Sequence, residues 1–293
     1  MADNLELKSY AKINLLLDVI AKYETGYHQV EMVMQTIDLA DKLSFSKTES
    51  GINIACNHPG VPLGQENLIY QAAELLMTEF DLAGGLAVEV DKNIPVSAGL
   101  AGGSSNAAAT LVAVNKLWNL GLSTTELESR AAELGADVPF CLAGGTQLAT
   151  GTGVELKKLD LQPNLNLVVV NPPFEVSTAE IYNNFILEEV QQHPQVIELL
   201  SALKEKKYPL ILANLENLLE LVAINRYPKI GEIKKLVAEK TDQALMSGSG
   251  PTMLGFVEKA AKTQAIAESL KQKLNDDFQI YSVTTVNSGV EEI

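Results

Sequence analysis

The sequence predicts an α+β protein of two domains, and three observations carry that expectation. Strand-like and helical patterns are mixed without the regular repetition of a doubly wound sheet. The 293 residues can bury a sizeable core and are enough for two domains. A polar, proline-containing stretch at residues 156 to 166, LKKLDLQPNLN, lies between two strand-like runs and reads as a linker. The boundary is placed within it, giving domains of residues 1–158 and 159–293.

Element by element, LELKSYAKINLLLDV alternates from Leu5 to Val19, with Leu7, Ser9, Ala11, Ile13 and Leu15 on one side and Lys8, Tyr10, Lys12, Asn14 and Asp18 on the other. A half-buried strand is expected, with Lys12 and Asn14 about 7 Å apart on one face at a rise of about 3.3 Å per residue. A turn at YETGYH follows, then VEMVMQTIDL, KLSFSKT and GINIACN as separate strands divided by polar or glycine-containing turns. ENLIYQAAELLMTEF places Leu68, Ala72, Leu75 and Leu76 at helical spacing, and GGLAVEVDKNIP returns to strand.

Next comes IPVSAGLAGGSSNAAATL. Gly99, Gly102 and Gly103 permit left-handed or crowded backbone, and Ser104 or Ser105 can cap a helix with Ala107, Leu111, Val114 and Trp118 on one stripe. Ser123 and Glu126 form a capping-box pattern, and Gly135 is the expected left-handed cap just before Asp137. The second half reads as the strand NLVVVN, helices through about Glu239, a turn at SGSGP, a helix through Leu274 and the strand IYSVTTV.

Composition narrows the chemistry. With 46% apolar and 20% charged residues the chain is an ordinary globular protein. Its 22 basic and 37 acidic residues leave a net charge of −15, which argues against a surface for nucleic acid or anionic lipid. An anion site must then be local. The start, MADNLELKSYAK, lacks the pattern of a signal peptide, and no apolar run approaches the roughly 18 residues of a membrane span. A cytoplasmic location is expected. Cys56 and Cys141 form no disulfide framework, and His28, His58 and His193 lack metal-ligand spacing.

The glycine-rich stretch before a helix start suits phosphate, because helix N-termini present unpaired N–H groups and about half a positive charge. A plain helix start is the alternative. No Gly-Lys dipeptide, HRD or DFG occurs, which excludes the Walker loop and the protein-kinase set. GTG at 151 to 153 lacks the later glycine of a dinucleotide fingerprint, and SGSG at 247 to 250 lacks the first glycine of a nucleophile elbow. MSGSGPTML is either a second amide-rich anion turn or a simple hairpin. Asp137 is a reactive carboxylate or a solvated cap, and Lys12 a functional cation or an outward strand lysine.

Taken in order, AKINL at 11 to 15, GYH at 26 to 28, PVSAGLAGGSSNAAA at 95 to 109, LGADVPF at 134 to 140 and SGSGPT at 247 to 252 resemble the GHMP small-molecule kinases. The similarity runs from about Lys8 to Val257. It implies an N-terminal half with a left-handed βαβ crossover, a ferredoxin-like C-terminal half and a site in the cleft between them. ATP would lay its phosphates along Pro95, Val96, Ser97, Ala98, Gly99, Leu100, Ala101, Gly102, Gly103, Ser104 and Ser105, with Asn67 near adenine. Asp137 would accept the proton of the acceptor hydroxyl, while Lys12 would pair with that carboxylate and offset charge on the moving phosphoryl group.

The resemblance also implies an acceptor that is a small molecule bearing cytosine. Asn14 would contact it, Tyr27 and Tyr182 would stack on the base, and His28 would read its edge. Mg2+ is expected with ATP, its protein ligands unnamed. Monomer and homodimer stay open. Asn106 stands where many members carry Asp, and Thr152 where a basic residue is frequent. Rival readings are a GHMP kinase for mevalonate, homoserine or a sugar, whose substrates offer no base to stack, and a silent nucleotide-binding relative, against which the presence of both Lys12 and Asp137 argues.

Overall fold

The computed structural model describes residues 4–293. Strand β1, Asn4–Lys22, is longer than its alternation suggested, and both of its faces are buried from Ser9 to Val19. The single wet face expected there is absent for a physical reason. Register shifts against the next strand fall between Tyr10 and Lys12, Asn14 and Leu16, and Val19 and Ala21, and each resets which side chains face which way. Leu5, Leu7, Leu17 and Val19 therefore join one core, while Ala11, Ile13, Leu15 and Leu16 join another.

Strand β2, His28–Thr48, merges the two runs that were expected as separate strands. The polar stretch around Asp41 is not a turn. Strands β3 (Gly51–Cys56) and β4 (Gly85–Asp91) pair in parallel, with helix α1 (Leu68–Glu79) in the crossover between them. Helix α1 buries Ile69, Ala72, Ala73 and Leu76, so its inward stripe is rotated from the expected Leu68 and Leu75.

Helix α2 spans Gly102–Leu117 and starts earlier than expected; its N-cap, Ala101, is left-handed and supplies no side-chain cap. Neither Ser104 nor Ser105 caps it, because both lie inside the first turn. Fully buried Ala107, Ala108 and Ala109 let the helix sit deep in the core. Helix α3, Thr124–Leu134, opens on the expected capping box of Ser123 and Glu126. Gly135 is not left-handed: its φ of 160° is extended backbone. Helix α4, Val138–Ala143, begins directly after Asp137.

Strands β5 (Thr146–Thr150) and β6 (Glu155–Leu159) form a hairpin, so Leu156 to Leu159 of the expected linker are strand and the connection shrinks to 160–165. Then come β7 (Asn166–Asn171), α5 (Thr178–Asn183), α6 (Val196–Glu205), α7 (Tyr208–Ala213), β8 (Glu216–Asn217), α8 (Leu219–Arg226) and α9 (Pro228–Ala238). The chain finishes with β9 (Gln243–Met246), β10 (Met253–Val257), α10 (Ala260–Lys273), β11 (Gln279–Thr284) and β12 (Val290–Glu292).

Two sheets result. The second has the order β11-β7-β10-β9 with every pair antiparallel, the arrangement of a ferredoxin-like unit. Its strand β7 is buried on both faces, Leu167 and Val169 in one core and Val168 and Val170 in the other. The first sheet is eight-stranded, and β1 lies between β2 and the edge strand β12, with the short β8 also alongside it. Both β8 and β12 come from late in the chain, so they tie the second half back onto the strand that carries Lys12. Among the described residues no helix is long and apolar enough to cross a membrane.

Candidate active site

The middle of β1 holds Lys12 and Asn14 on one side, as its period-two geometry requires, and Lys12 Nζ donates to Asn14 Oδ1 at 2.9 Å. Both side chains are buried. The glycine-rich loop docks on the same strand through its main chain, Lys12 N donating to Leu100 O at 3.0 Å. Within that loop Ser97, Gly99 and Ala101 all have positive φ, 53°, 73° and 56°. For Ser97 and Ala101 the left-handed conformation costs about 1–2 kcal/mol each, and such strain gathers where a backbone must face a ligand. Among the described residues the N–H groups of Gly102, Gly103 and Ser104 have no hydrogen-bond partner, which leaves the first turn of α2 free to receive an anion.

The second glycine-rich turn, Ser247 to Pro251, is a hairpin between β9 and β10, and it also reaches the site. A Cβ on Gly99 would lie 2.6 Å from Ser247 O, so the two turns pack at a distance only glycine allows. Ser247 Oγ donates to Gly99 O at 3.2 Å. A Cβ on Gly248 would meet Asn14 Oδ1 at 3.4 Å and Lys12 Nζ at 3.8 Å. From behind, Asn217 Nδ2 donates to both Met246 O and Gly248 O at 2.8 Å.

Asp137 faces this assembly. It precedes α4 but makes no capping bond, so its carboxylate, 36% exposed, is free to approach Lys12 Nζ at 3.9 Å. The solvated-cap reading does not hold. Helix α4 is braced by the C-terminal segment: a Cβ on Gly289 would clash with Cys141 O.

A cavity of about 590 Å³ opens over Lys12, Asn14 and Asp137, and Tyr27, His28 and Tyr182 line it too. Lys12 is its one Lys or Arg among the described residues, and Thr152 adds no charge. His28 is tucked against Tyr182, ring centres 5.1 Å apart, while Tyr27 stands 69% exposed at the rim. Burial, followed by the charge of Lys22, lowers the His28 pKa from its ordinary value and favours a neutral ring. Burial, with the Asp137 charge second, pushes Tyr182 up to about 12, so it stays a phenol.

An adjoining cavity of about 320 Å³ is lined by Asn67 and most of the loop, and the two cavities share Gly99 and Ala101. Asn67 caps α1, its Oδ1 accepting from Ile69 N at 2.8 Å and its Nδ2 donating to Pro62 O. Two loop residues face inward instead: Leu100 is core, and Ser105 Oγ donates to Tyr10 O at 2.7 Å. Sequence reasoning missed Asp41 and Lys92, which form a buried pair beneath this cavity at 2.7 Å. No motif marked them, because their contact joins strands far apart in sequence.

The model described as GHMP kinases N terminal domain matches residues 67–145, and that described as GHMP kinases C terminal matches residues 197–276. A 4-diphosphocytidyl-2-C-methyl-D-erythritol kinase of Clostridium botulinum (strain Eklund 17B / Type B) is 46% identical over 277 residues, covering 94% of this chain and 98% of its own. One of Brevibacillus brevis is 43% identical over 278 residues, covering 94% and 95%. A crystal structure of 4-(cytidine 5'-diphospho)-2C-methyl-D-erythritol kinase superposes with a TM-score of 0.82 at 31% identity, covering 96% of this chain and 100% of that one. A homoserine kinase from Cytophaga hutchinsonii superposes with a TM-score of 0.79 at 20% identity, covering 100% and 98%, a likeness of fold alone. With both halves matched and close relatives spanning nearly its whole length, the chain belongs to the GHMP kinases, in the family of the 4-diphosphocytidyl-2-C-methyl-D-erythritol kinases.

Proposed function

We propose that the protein transfers the terminal phosphoryl group of ATP to the 2-hydroxyl of 4-diphosphocytidyl-2-C-methyl-D-erythritol, a step in making isoprenoid precursors. The observation that carries this reading is the meeting of Lys12, Asn14 and Asp137 where two cavities join at Gly99 and Ala101. ATP takes the smaller cavity, with its phosphates on the open amides of Gly102, Gly103 and Ser104. The acceptor takes the larger one, its cytosine between Tyr27 and Tyr182 and its edge against the neutral His28. Its hydroxyl then lies beside Asp137.

Phosphoryl transfer has a loose transition state, so alignment and charge do most of the catalysis. Asp137 takes the hydroxyl proton as the oxygen–phosphorus bond forms, and the bond to the leaving phosphate breaks. Lys12, held by Asn14, stabilises the charge on the migrating group. Magnesium offsets phosphate charge when it accompanies ATP. Among the described residues no cluster of three or more His, Cys, Asp or Glu could cage a metal. Magnesium rarely needs one, since phosphates and water fill most of its shell. The division into residues 1–158 and 159–293, with the site in the cleft between them, is part of this proposal.

The test is a kinase assay on purified protein with ATP and each acceptor in turn. Product from the cytidylated methylerythritol but not from mevalonate or homoserine supports the reading. Transfer to another acceptor, or ATP binding without transfer to any, would replace it with the rival kinase or the silent relative.

A further inference from the structure

The loop assigned above to the ATP phosphates begins and ends on the same buried carboxylate. Asp41 is fully buried on β2. Its Oδ1 accepts from Asn93 N at 2.7 Å and Ile94 N at 2.8 Å, the residues that lead into the loop. Its Oδ2 accepts from Lys92 Nζ at 2.7 Å and from Asn106 Nδ2 at 2.8 Å, the latter just beyond the serine pair. Lys92 Nζ also donates to Ile94 O at 2.6 Å, and Asn106 Nδ2 to Ser9 Oγ at 2.8 Å on β1. Every member is partnered, which is the condition under which a buried charge fixes geometry rather than costing stability.

We infer that Asp41 is a positioning residue for the nucleotide: it clamps the two ends of the loop from Pro95 to Ser105 together and so sets where the amides of Gly102, Gly103 and Ser104 point. The clamp also explains Asn106. An aspartate there would set a second carboxylate against Asp41 with one lysine between them, whereas the carboxamide donates. The proposal rests on the reading that this loop holds ATP.

The experiment measures ATP dissociation constants, the KM of the acceptor, kcat and melting temperature for the full chain and three variants. Asn106→Leu removes the bonds from α2 to Asp41 and to Ser9 and leaves the Asp41–Lys92 pair intact. Asp41→Asn weakens the whole clamp. Gly103→Asp puts a negative charge at the first turn of α2, where the helix dipole tolerates it but a phosphate would not. Asn106→Leu and Asp41→Asn are each expected to weaken ATP binding about tenfold, with acceptor KM and kcat at saturating ATP within about twofold. Should Asp41→Asn fail to fold, Asn106→Leu decides the matter alone. ATP affinity unchanged in Asn106→Leu while Gly103→Asp loses it would overturn the clamp and spare the ATP assignment. Equal losses for both substrates would reduce Asp41 to a fold-stabilising role and also overturn it. ATP affinity unchanged in Gly103→Asp would remove the loop from the phosphate site and both readings with it.

Discussion

Gly99 and Ser247 touch through their backbones at a distance where even a methyl group on Gly99 would lie 2.6 Å from Ser247 O. This contact holds the two glycine-rich turns against each other beside Lys12. Gly99→Ala adds that methyl group at a φ of 73° as well, so about 1–3 kcal/mol of stability is expected to be lost. Chemical denaturation would measure it, and kcat should fall alongside because the turn at Gly248 abuts Lys12 and Asn14.

Asn14 is expected to matter through Lys12. Its Oδ1 accepts the lysine's bond, and its Nδ2 donates to Met32 Sδ at 3.4 Å. Asn14→Leu frees the ammonium from its register, and steady-state kinetics should show kcat reduced about tenfold to a hundredfold with ATP binding kept.

The C-terminal segment should affect a site it never enters. Gly289→Ala would drive a methyl group into Cys141 O and displace α4, whose first residue follows Asp137. A fall in kcat of about tenfold is expected, with the ATP dissociation constant unchanged.

His28 brings a pH dependence. Its folded-state pKa lies below its ordinary value of 6.5, from burial first and the Lys22 charge second. The unfolded chain therefore takes up the proton first. Stability from the neutral ring is fully present above 6.5 and is lost as the pH falls through the folded value. Acceptor binding should weaken over the same window while ATP binding does not. Lys22→Gln should move the weakening toward higher pH, most clearly at low salt, because Lys22 is exposed and screened. Titration of the His28 ring by NMR checks the direction.

Much of this was legible in the sequence, for reasons that particular residues show. Local signals such as the capping box at Ser123 and the turn at SGSGP depend on neighbours only, and the structure has both. The order of motifs indicated which distant residues belong together, and Lys12, Asn14, Tyr27, His28, Asp137 and Tyr182 do share one cavity. What stayed hidden depends on long-range pairing. The bulges of β1 cannot be seen without its partner, so its burial was misjudged. Asp41 read as part of a polar turn because its four donors come from Lys92, Asn93, Ile94 and Asn106. Ser105 looked like a cap because hydroxyls near helix starts usually are, yet its partner is Tyr10 O on β1.

Asp137, set 3.9 Å from Lys12, is proposed to accept the proton of the acceptor hydroxyl. Asp137→Asn keeps the shape and removes the base, so the direct measurement is its turnover with saturating ATP and cytidylated methylerythritol, beside its ATP dissociation constant. Unchanged ATP binding and a kcat lower by about a hundredfold to ten-thousandfold are expected. Turnover near that of the unaltered protein would contradict it.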